Sequence, residues 1–323
     1  MLSRQRYAVV LAGGAGTRLK ELTTNVAGMT VPKQFCTFNG GASLLRDTLG
    51  RIKPIVPRSQ TCAVVSARHR RWWRNEVWSV PAANVLVQPL ARGTGIGLLY
   101  ALLEIERRDP EAVVLCTPAD HHVTDPAVLA TAMDDALIAA SAGEYVVLLG
   151  TEPRTLDSQC GYISLGSCDG YGLYEVAEFV ERPGDLARRV ERDHVLWNSF
   201  ILAGSCESLL DLVERRFPEI VSSLRGALAR RDGLRVWCDD ALSGLFQELP
   251  VIDFSSDVLA HSAVHLRALP LEECGIADLG TPERILETLR EMRHRERDEV
   301  VPLSGAPDLA AAAMAARSQD RIL

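Results

Sequence analysis

The sequence predicts an α/β fold on a doubly wound, mostly parallel, Rossmann-like mixed sheet. Two observations predict it. Short strand-like runs alternate with longer segments of helical periodicity through the first half of the 323-residue chain. Those runs are continuously rich in Val and Leu rather than alternating with polar residues, as expected for strands covered on both faces.

The elements follow in order. Residues 7–13, 61–67, 84–89, 112–120 and 144–150 read as strands, mostly bounded by turn residues. Between them, 43–52, 95–108 and 126–143 carry helical spacing. After residue 150 the rhythm changes. GYISLG and LYEVAEFVERP suggest two strands joined by a hairpin or a crossing connection. DLARRV, SLLDLVERRF and PEIVSSLRGALARR then read as helices. A last strand at 264–271 leads through the turn CGIADLGTPERI to a closing helix ending near 294, and 296–323 reads as a charged, then Ala-rich tail. One domain over 1–295 is expected, with its two halves meeting near residue 150.

The formal net charge of −7 gives no support for a nucleic-acid-binding surface, though a small basic pocket can sit in an acidic chain. No apolar stretch reaches the ~18 residues of a membrane span, and the N-terminal apolar run is too short for a signal peptide. The eight cysteines form no CxxC pair and no zinc spacing, so they read as buried free thiols in a reducing cytoplasm.

Candidate chemistry begins in the first turn, Leu11-Ala12-Gly13-Gly14-Ala15-Gly16-Thr17-Arg18-Leu19. A strand followed by glycines and a helix lets backbone amides approach an anion closely. The spacing lacks the third glycine of a dinucleotide fingerprint and is not a Walker loop; a tight turn without a ligand is the plain alternative. Pro32 fixes the backbone before Lys33, a cation fifteen residues beyond the glycine turn for which a solvated surface lysine is the plain alternative. Gln88-Pro89 ends a strand, and a loop then carries Arg92-Gly93-Thr94 into a helix. An amide at Gln88 offers both a donor and an acceptor, while Thr94 is a helix-cap candidate. Asp120 follows an apolar strand at its C-terminal end, where open α/β sheets place ligands. His121 and His122 beside it admit a transition-metal reading, but no third ligand stands at useful spacing.

Taken together these strings resemble the sugar-phosphate nucleotidyltransferases over about residues 6–294, and most closely the mannose-1-phosphate guanylyltransferases. GGxGTRL and PKQF match that family closely. VQPLARGTGIG keeps the proline, arginine and threonine of its E-P-x-x-R-N-T-A-P-A pattern. PADH matches directly, and Gly275-Ile276-Ala277-Asp278-Leu279-Gly280 matches G-W-S-D-L-G without the tryptophan and serine. FVERP resembles F-x-E-K-P with Arg182 for lysine, WNSF resembles W-N-S-G with Phe200 for glycine, and Gly161 falls in a shortened G-Y-G-Y-I.

The resemblance implies a glycosyltransferase-A-like fold with a nucleotide part over about 1–150 and a sugar-phosphate part over about 151–295. It implies nucleotide contacts from Leu11, Ala12, Gly13, Gly14, Gly16, Thr17, Arg18, Gln88, Arg92 and Thr94, with Arg18, Lys33 and Asp120 catalytic. Mg²⁺ would sit on Asp120 and Asp278, although a turn cap is the plain alternative for Asp278. Gly161, Glu181, Arg182 and Asn198 would hold the sugar phosphate. The implied partners are a nucleoside triphosphate, GTP first, and mannose-1-phosphate, with a homodimer admitted and with no nucleic acid or membrane. Gln88 favours a second reading, a UTP- or dTTP-dependent glucose-1-phosphate enzyme. The departures at Gly93, Arg182, Phe200 and Ile276-Ala277 motivate a third, a non-catalytic nucleotide-sugar sensor.

Overall fold

The computed structural model describes residues 4–24, 28–38, 40–153, 159–184, 194–230 and 240–295. The expected helix at DLARRV (185–190) and the tail at 296–323 lie outside the described residues.

Among the described residues nine strands form one sheet. In chain order they are β1 (Arg6–Ala12), β2 (Thr61–Ser66), β3 (Val85–Gln88), β4 (Val113–Pro118), β6 (Val146–Thr151), β7 (Gly161–Cys168), β8 (Tyr174–Glu181), β9 (Val195–Ser205) and β10 (Leu266–Pro270). A separate two-stranded ribbon pairs β5 (His121–His122) with β11 (Ala277–Asp278). The sheet order is β3-β2-β1-β4-β9-β6-β10-β8-β7. β1 runs parallel to β2 and β4, β2 to β3, and β6 to β10, while β9 lies antiparallel between β4 and β6. The sheet is therefore mixed but dominated by strands of one direction, and the predicted strands of the first half fall within a residue or two of their expected places.

The helices are α1 (Lys20–Thr23), α2 (Leu44–Ile52), α3 (Arg70–Trp73), α4 (Gly93–Glu106), α5 (Pro126–Ala142), α6 (Cys206–Glu214), α7 (Pro218–Ala229), α8 (Asp240–Glu248), α9 (Phe254–Asp257) and α10 (Pro282–Arg295). Successive strand residues point to opposite faces, and two cores result. Tyr7, Val9, Val114, Cys116, Val146 and Leu148 pack with α4, α6 and α7 on one face. Ala8, Val10, Val113, Leu115, Val147 and Leu149 pack with α2, α5 and α10 on the other. This two-sided burial explains why the strands read as unbroken apolar runs. In α4 every residue from Gly95 to Ile105 is buried, so this helix is covered all round.

Strand β9 was legible only as the motif Trp197-Asn198-Ser199-Phe200, yet among the described residues it is the longest strand, at 11 residues. The register of β6 against β9 shifts at Leu149/Gly150. There the Ser199 hydroxyl donates to Leu149 O at 2.6 Å and accepts from Ile201 N–H at 3.1 Å. Phe200 at this bulge has φ +56, the left-handed region in which glycine is the usual occupant. Its ring stacks edge-on against Phe254 at 6.3 Å, a packing contact that a glycine lacks.

Gly93 opens α4 with φ +83, and a Cβ there would come within 2.1 Å of Ile252 O. The Ile252 backbone is stitched to this turn at both ends: it donates to Arg92 O at 3.0 Å and accepts from Gly95 N–H at 2.9 Å. The departure from the family pattern at Gly93 is thus matched by a close backbone approach from the α8–α9 segment.

Candidate active site

The C-terminal ends of β1, β3 and β4 deliver the glycine turn, Gln88 and Asp120 to one edge of the sheet. The glycine turn is clamped from two sides. Gln34, buried in PKQF, donates through Nε2 to Ala12 O at 2.8 Å and Gly14 O at 2.9 Å. Gly16 has φ +62, and a Cβ there would press on Lys33 N at 2.9 Å, so only glycine lets the two segments meet. Gln88 lies buried under the turn with its amide against Gly13 and Gly97, and its Nε2 has no hydrogen-bond partner. Leu11 is half-buried, Ala12 is buried, and Thr17 opens a single 3₁₀ turn that carries Arg18.

The β5–β11 ribbon performs the decisive juxtaposition. Its antiparallel register sets Asp278 opposite His121 and therefore beside Asp120. Both carboxylates converge on one ammonium. Lys33 Nζ lies 2.6 Å from Asp278 Oδ1 and 3.2 Å from Asp120 Oδ2, with the Lys33 side chain only 5% exposed. Burial pulls the Lys33 ammonium down, but the two aspartates outweigh it and hold the group above its ordinary value. Burial likewise pushes the Asp278 carboxyl up, and Lys33 more than reverses this, holding it well below the usual carboxylate range.

Two hard carboxylate oxygens closing on a single cation are the donor set that Mg²⁺ accepts, so the residues present fit that ion. The neighbouring imidazoles do not extend it. Mg²⁺ prefers oxygen ligands to imidazole nitrogen, burial lowers His121 from its usual value and His122 to about 4, and the His122 ring packs on Phe38 at 4.5 Å. No cluster of three metal-ligating side chains occurs among the described residues.

Beside this cluster opens a cavity of about 670 Å³ whose wall includes Arg18, Gly161, Glu181, Arg182, Asn198 and Asp278, all six named from the sequence. Gly161 pairs with Glu181 across the β7–β8 hairpin, and a Cβ at Gly161 would strike the Glu181 carboxylate at 2.5 Å. Arg182 sits at φ +47 with Nε 3.3 Å from Glu181 Oε1, and its side chain is 55% exposed. Asn198 Oδ1 accepts from Phe200 N–H at 3.1 Å, which orients its amide.

Burial raises the Glu181 carboxyl to about 7, against the opposing charge of Arg182. The folded state thus binds a proton that the unfolded chain has released, between an ordinary value of 4.5 and about 7. Stability falls as pH rises through that window. Glu181→Gln is expected to remove that fall. Thermal melts from pH 4.5 to 7.5 check it, and parallel curves for the two proteins would contradict it.

Two sequence-named side chains are engaged elsewhere. Arg92 donates to the carbonyls of Phe246 (2.7 Å) and Gln247. Thr94 Oγ1 accepts from Phe254 N–H at 2.8 Å. Both brace the α8–α9 segment rather than project into the cavity. The sequence reading in turn missed Gln34 and Arg284. The tripeptide Pro32-Lys33-Gln34 carried a signal for the first. For Arg284 the only signal was its position six residues beyond Asp278, in the first turn of the closing helix.

With this geometry in view, the comparisons with known proteins decide the family. The pattern defining the nucleotidyl transferases matches residues 7–292. This chain belongs to the nucleotidyl transferase family. Among sequence relatives of this nucleotidyl transferase, a mannose-1-phosphate guanylyltransferase of Salmonella muenchen is 30% identical over 228 residues, covering 68% of the chain and 46% of the relative. A second, from Escherichia coli K12, is 27% identical over 242 residues, covering 72% and 49%. The chain therefore spans about half the length of these relatives. A crystal structure described as a mannose-1-phosphate geranyltransferase from Thermus thermophilus superposes with a TM-score of 0.76 at 28% identity, covering 88% of this chain and 79% of that one. A UDP-glucose pyrophosphorylase complexed with UDP-glucose shares the fold at TM-score 0.53 and 14% identity, covering 91% and 100%. The architecture is thus the glycosyltransferase-A-like nucleotidyltransferase fold that the resemblance implied.

Proposed function

We propose that this nucleotidyl transferase condenses GTP with mannose-1-phosphate, giving GDP-mannose and pyrophosphate, with Mg²⁺ as cofactor. One observation carries the chemistry: Lys33 held between Asp120 and Asp278, against the glycine turn and behind the cavity wall that Asp278 supplies. The names of the sequence relatives support the choice of sugar and base. A sensor has little need of a buried lysine between two carboxylates, so the intact cluster favours an enzyme.

In this reading the sugar-phosphate oxygen attacks the α-phosphorus in line and pyrophosphate leaves, with no covalent enzyme intermediate. The amides of Gly13–Gly16 and the Arg18 guanidinium hold the departing phosphates. Lys33, drawn toward the nucleotide, offsets the charge that builds on the α-phosphate. The Gln88 amide, buried with an unpaired donor, reads the base. Glu181, Gly161 and Asn198 meet the sugar hydroxyls. Asp120 and Asp278 would hold Mg²⁺, which would supply charge neutralisation at the reacting phosphate.

A cytoplasmic location and a homodimer belong to the same proposal. No helix among the described residues is long and apolar enough to cross a membrane. Pyrophosphate release, measured with Mg²⁺ for GTP, UTP, dTTP, ATP and CTP against mannose-1-phosphate and glucose-1-phosphate, tests the proposal. The expected result is release with GTP and mannose-1-phosphate. Release with dTTP or UTP and glucose-1-phosphate would replace the substrates and keep the mechanism. Silence across the grid would overturn the enzyme reading.

A further inference from the structure

Four charges of alternating sign run in a row through the site: Asp120, Lys33, Asp278 and Arg284. The first three are accounted for. Arg284, on the first turn of α10, is the remaining one. Its Nη1 lies 3.3 Å from Asp278 Oδ2, and its Nη2 lies 3.1 Å from the Cys160 sulfur. The guanidinium therefore bridges the metal-binding aspartate and the wall residue that immediately precedes Gly161. Its side chain is 21% exposed and faces the cavity.

That position has a chemical meaning once the two ends of the cavity are assigned, and so the inference rests on the nucleotidyl-transfer reading. At one end, Glu181, Gly161 and Asn198 present groups suited to sugar hydroxyls. At the other, Asp278 lines the wall, with Lys33 and Asp120 packed behind it. A sugar-1-phosphate spanning these ends must place its phosphate between them, because that phosphate joins the ring to the reacting centre. Arg284 occupies that stretch of wall.

Its chemistry fits as well. A guanidinium carries five N–H donors in a planar fork that matches two phosphate oxygens. A thiol is a weak acceptor, so a phosphate oxygen displaces it readily from Nη2. Arg182, the cation that the sequence placed on this phosphate, also lines the cavity, but its Nε is engaged by Glu181 Oε1 at 3.3 Å. We propose that Arg284 is the residue that grips the phosphate of the sugar-phosphate substrate, and that Arg182 instead braces Glu181.

The test is calorimetric titration of the wild type, Arg284→Ala, Arg284→Lys and Arg182→Ala with mannose-1-phosphate, glucose-1-phosphate and inorganic phosphate, with thermal melts to confirm folding. Loss of a charge-assisted phosphate contact is worth about 10–100-fold in affinity. Arg284→Ala should lose at least about tenfold for whichever phosphate the wild type binds, and Arg284→Lys should recover part of it. In steady state the loss should fall on KM for the sugar phosphate, with KM for the nucleotide changing little. Sugar-phosphate affinity within twofold of wild type in a folded Arg284→Ala would overturn the proposal. So would a larger loss in Arg182→Ala. Arg284-dependent binding of glucose-1-phosphate or inorganic phosphate, with none of mannose-1-phosphate, would sustain Arg284 and discard the choice of sugar. A wild type that binds none of the three overturns both readings.

Discussion

Lys33→Ala is expected to lower turnover by ~10²–10³ while the protein stays folded. The reason lies in what the ammonium touches. It is nearly sealed from solvent, yet its two partners are each about a third exposed, at 36% for Asp120 and 33% for Asp278. Removing it leaves two like charges facing each other, which is unfavourable, but both reach water and neither is stranded. A divalent cation should then do for the variant's fold what the ammonium does for the wild type. Mg²⁺ is therefore expected to raise the melting temperature of Lys33→Ala more than that of the wild type. Pyrophosphate-release kinetics and paired melts with and without Mg²⁺ check the two halves separately. Near wild-type turnover in Lys33→Ala would remove Lys33 from the chemistry. An absence of any Mg²⁺ response would remove the convergent carboxylates as the metal site.

The parts of this site that were legible in the sequence share a physical cause. Glycines at 13, 14 and 16, the lysine after Pro32 and the aspartate after β4 are local statements: a turn needs its φ, and a strand end presents its next residue to the edge of the sheet. The fold was legible for the same reason, since strands buried on both faces must read as apolar runs. What stayed hidden depends on partners far along the chain. Lys33 and Asp278 are 245 residues apart, and only the β5–β11 ribbon brings them together. Arg284 meets Cys160 across 124 residues, and no spacing rule announces that contact. Arg92 donates to the carbonyls of Phe246 and Gln247, more than 150 residues downstream, a contact that its own motif does not announce. Strand β9 was obscured differently: its polar Asn198-Ser199 pair marks a bulge that breaks the apolar run from which a strand would be read.

Asp278→Asn carries the second large effect, because Asp278 is the member of the cluster with the most to lose. One carboxylate oxygen meets Lys33 at 2.6 Å and the other meets Arg284 at 3.3 Å. An amide keeps the shape but surrenders the charge, and its NH₂ group turns a donor toward one of the two cations. Turnover should fall by ~10² or more, since metal binding and the placement of Lys33 fail together. The pH dependence identifies the cause. In the wild type the depressed Asp278 carboxyl contributes stability in full above its ordinary value of 3.8, and that contribution is lost as pH falls through the lower folded value. The raised Lys33 ammonium contributes in full below its ordinary value of 10.5 and loses that contribution as pH rises through its higher folded value. The stability gap between wild type and Asp278→Asn should therefore be flat across neutral pH and should close on the acid side, below about pH 4. Denaturant titrations at pH 7, 5, 4 and 3 measure that gap. A gap that is unchanged at pH 3, or absent at pH 7, would mean that the Asp278 charge does not hold the cluster together.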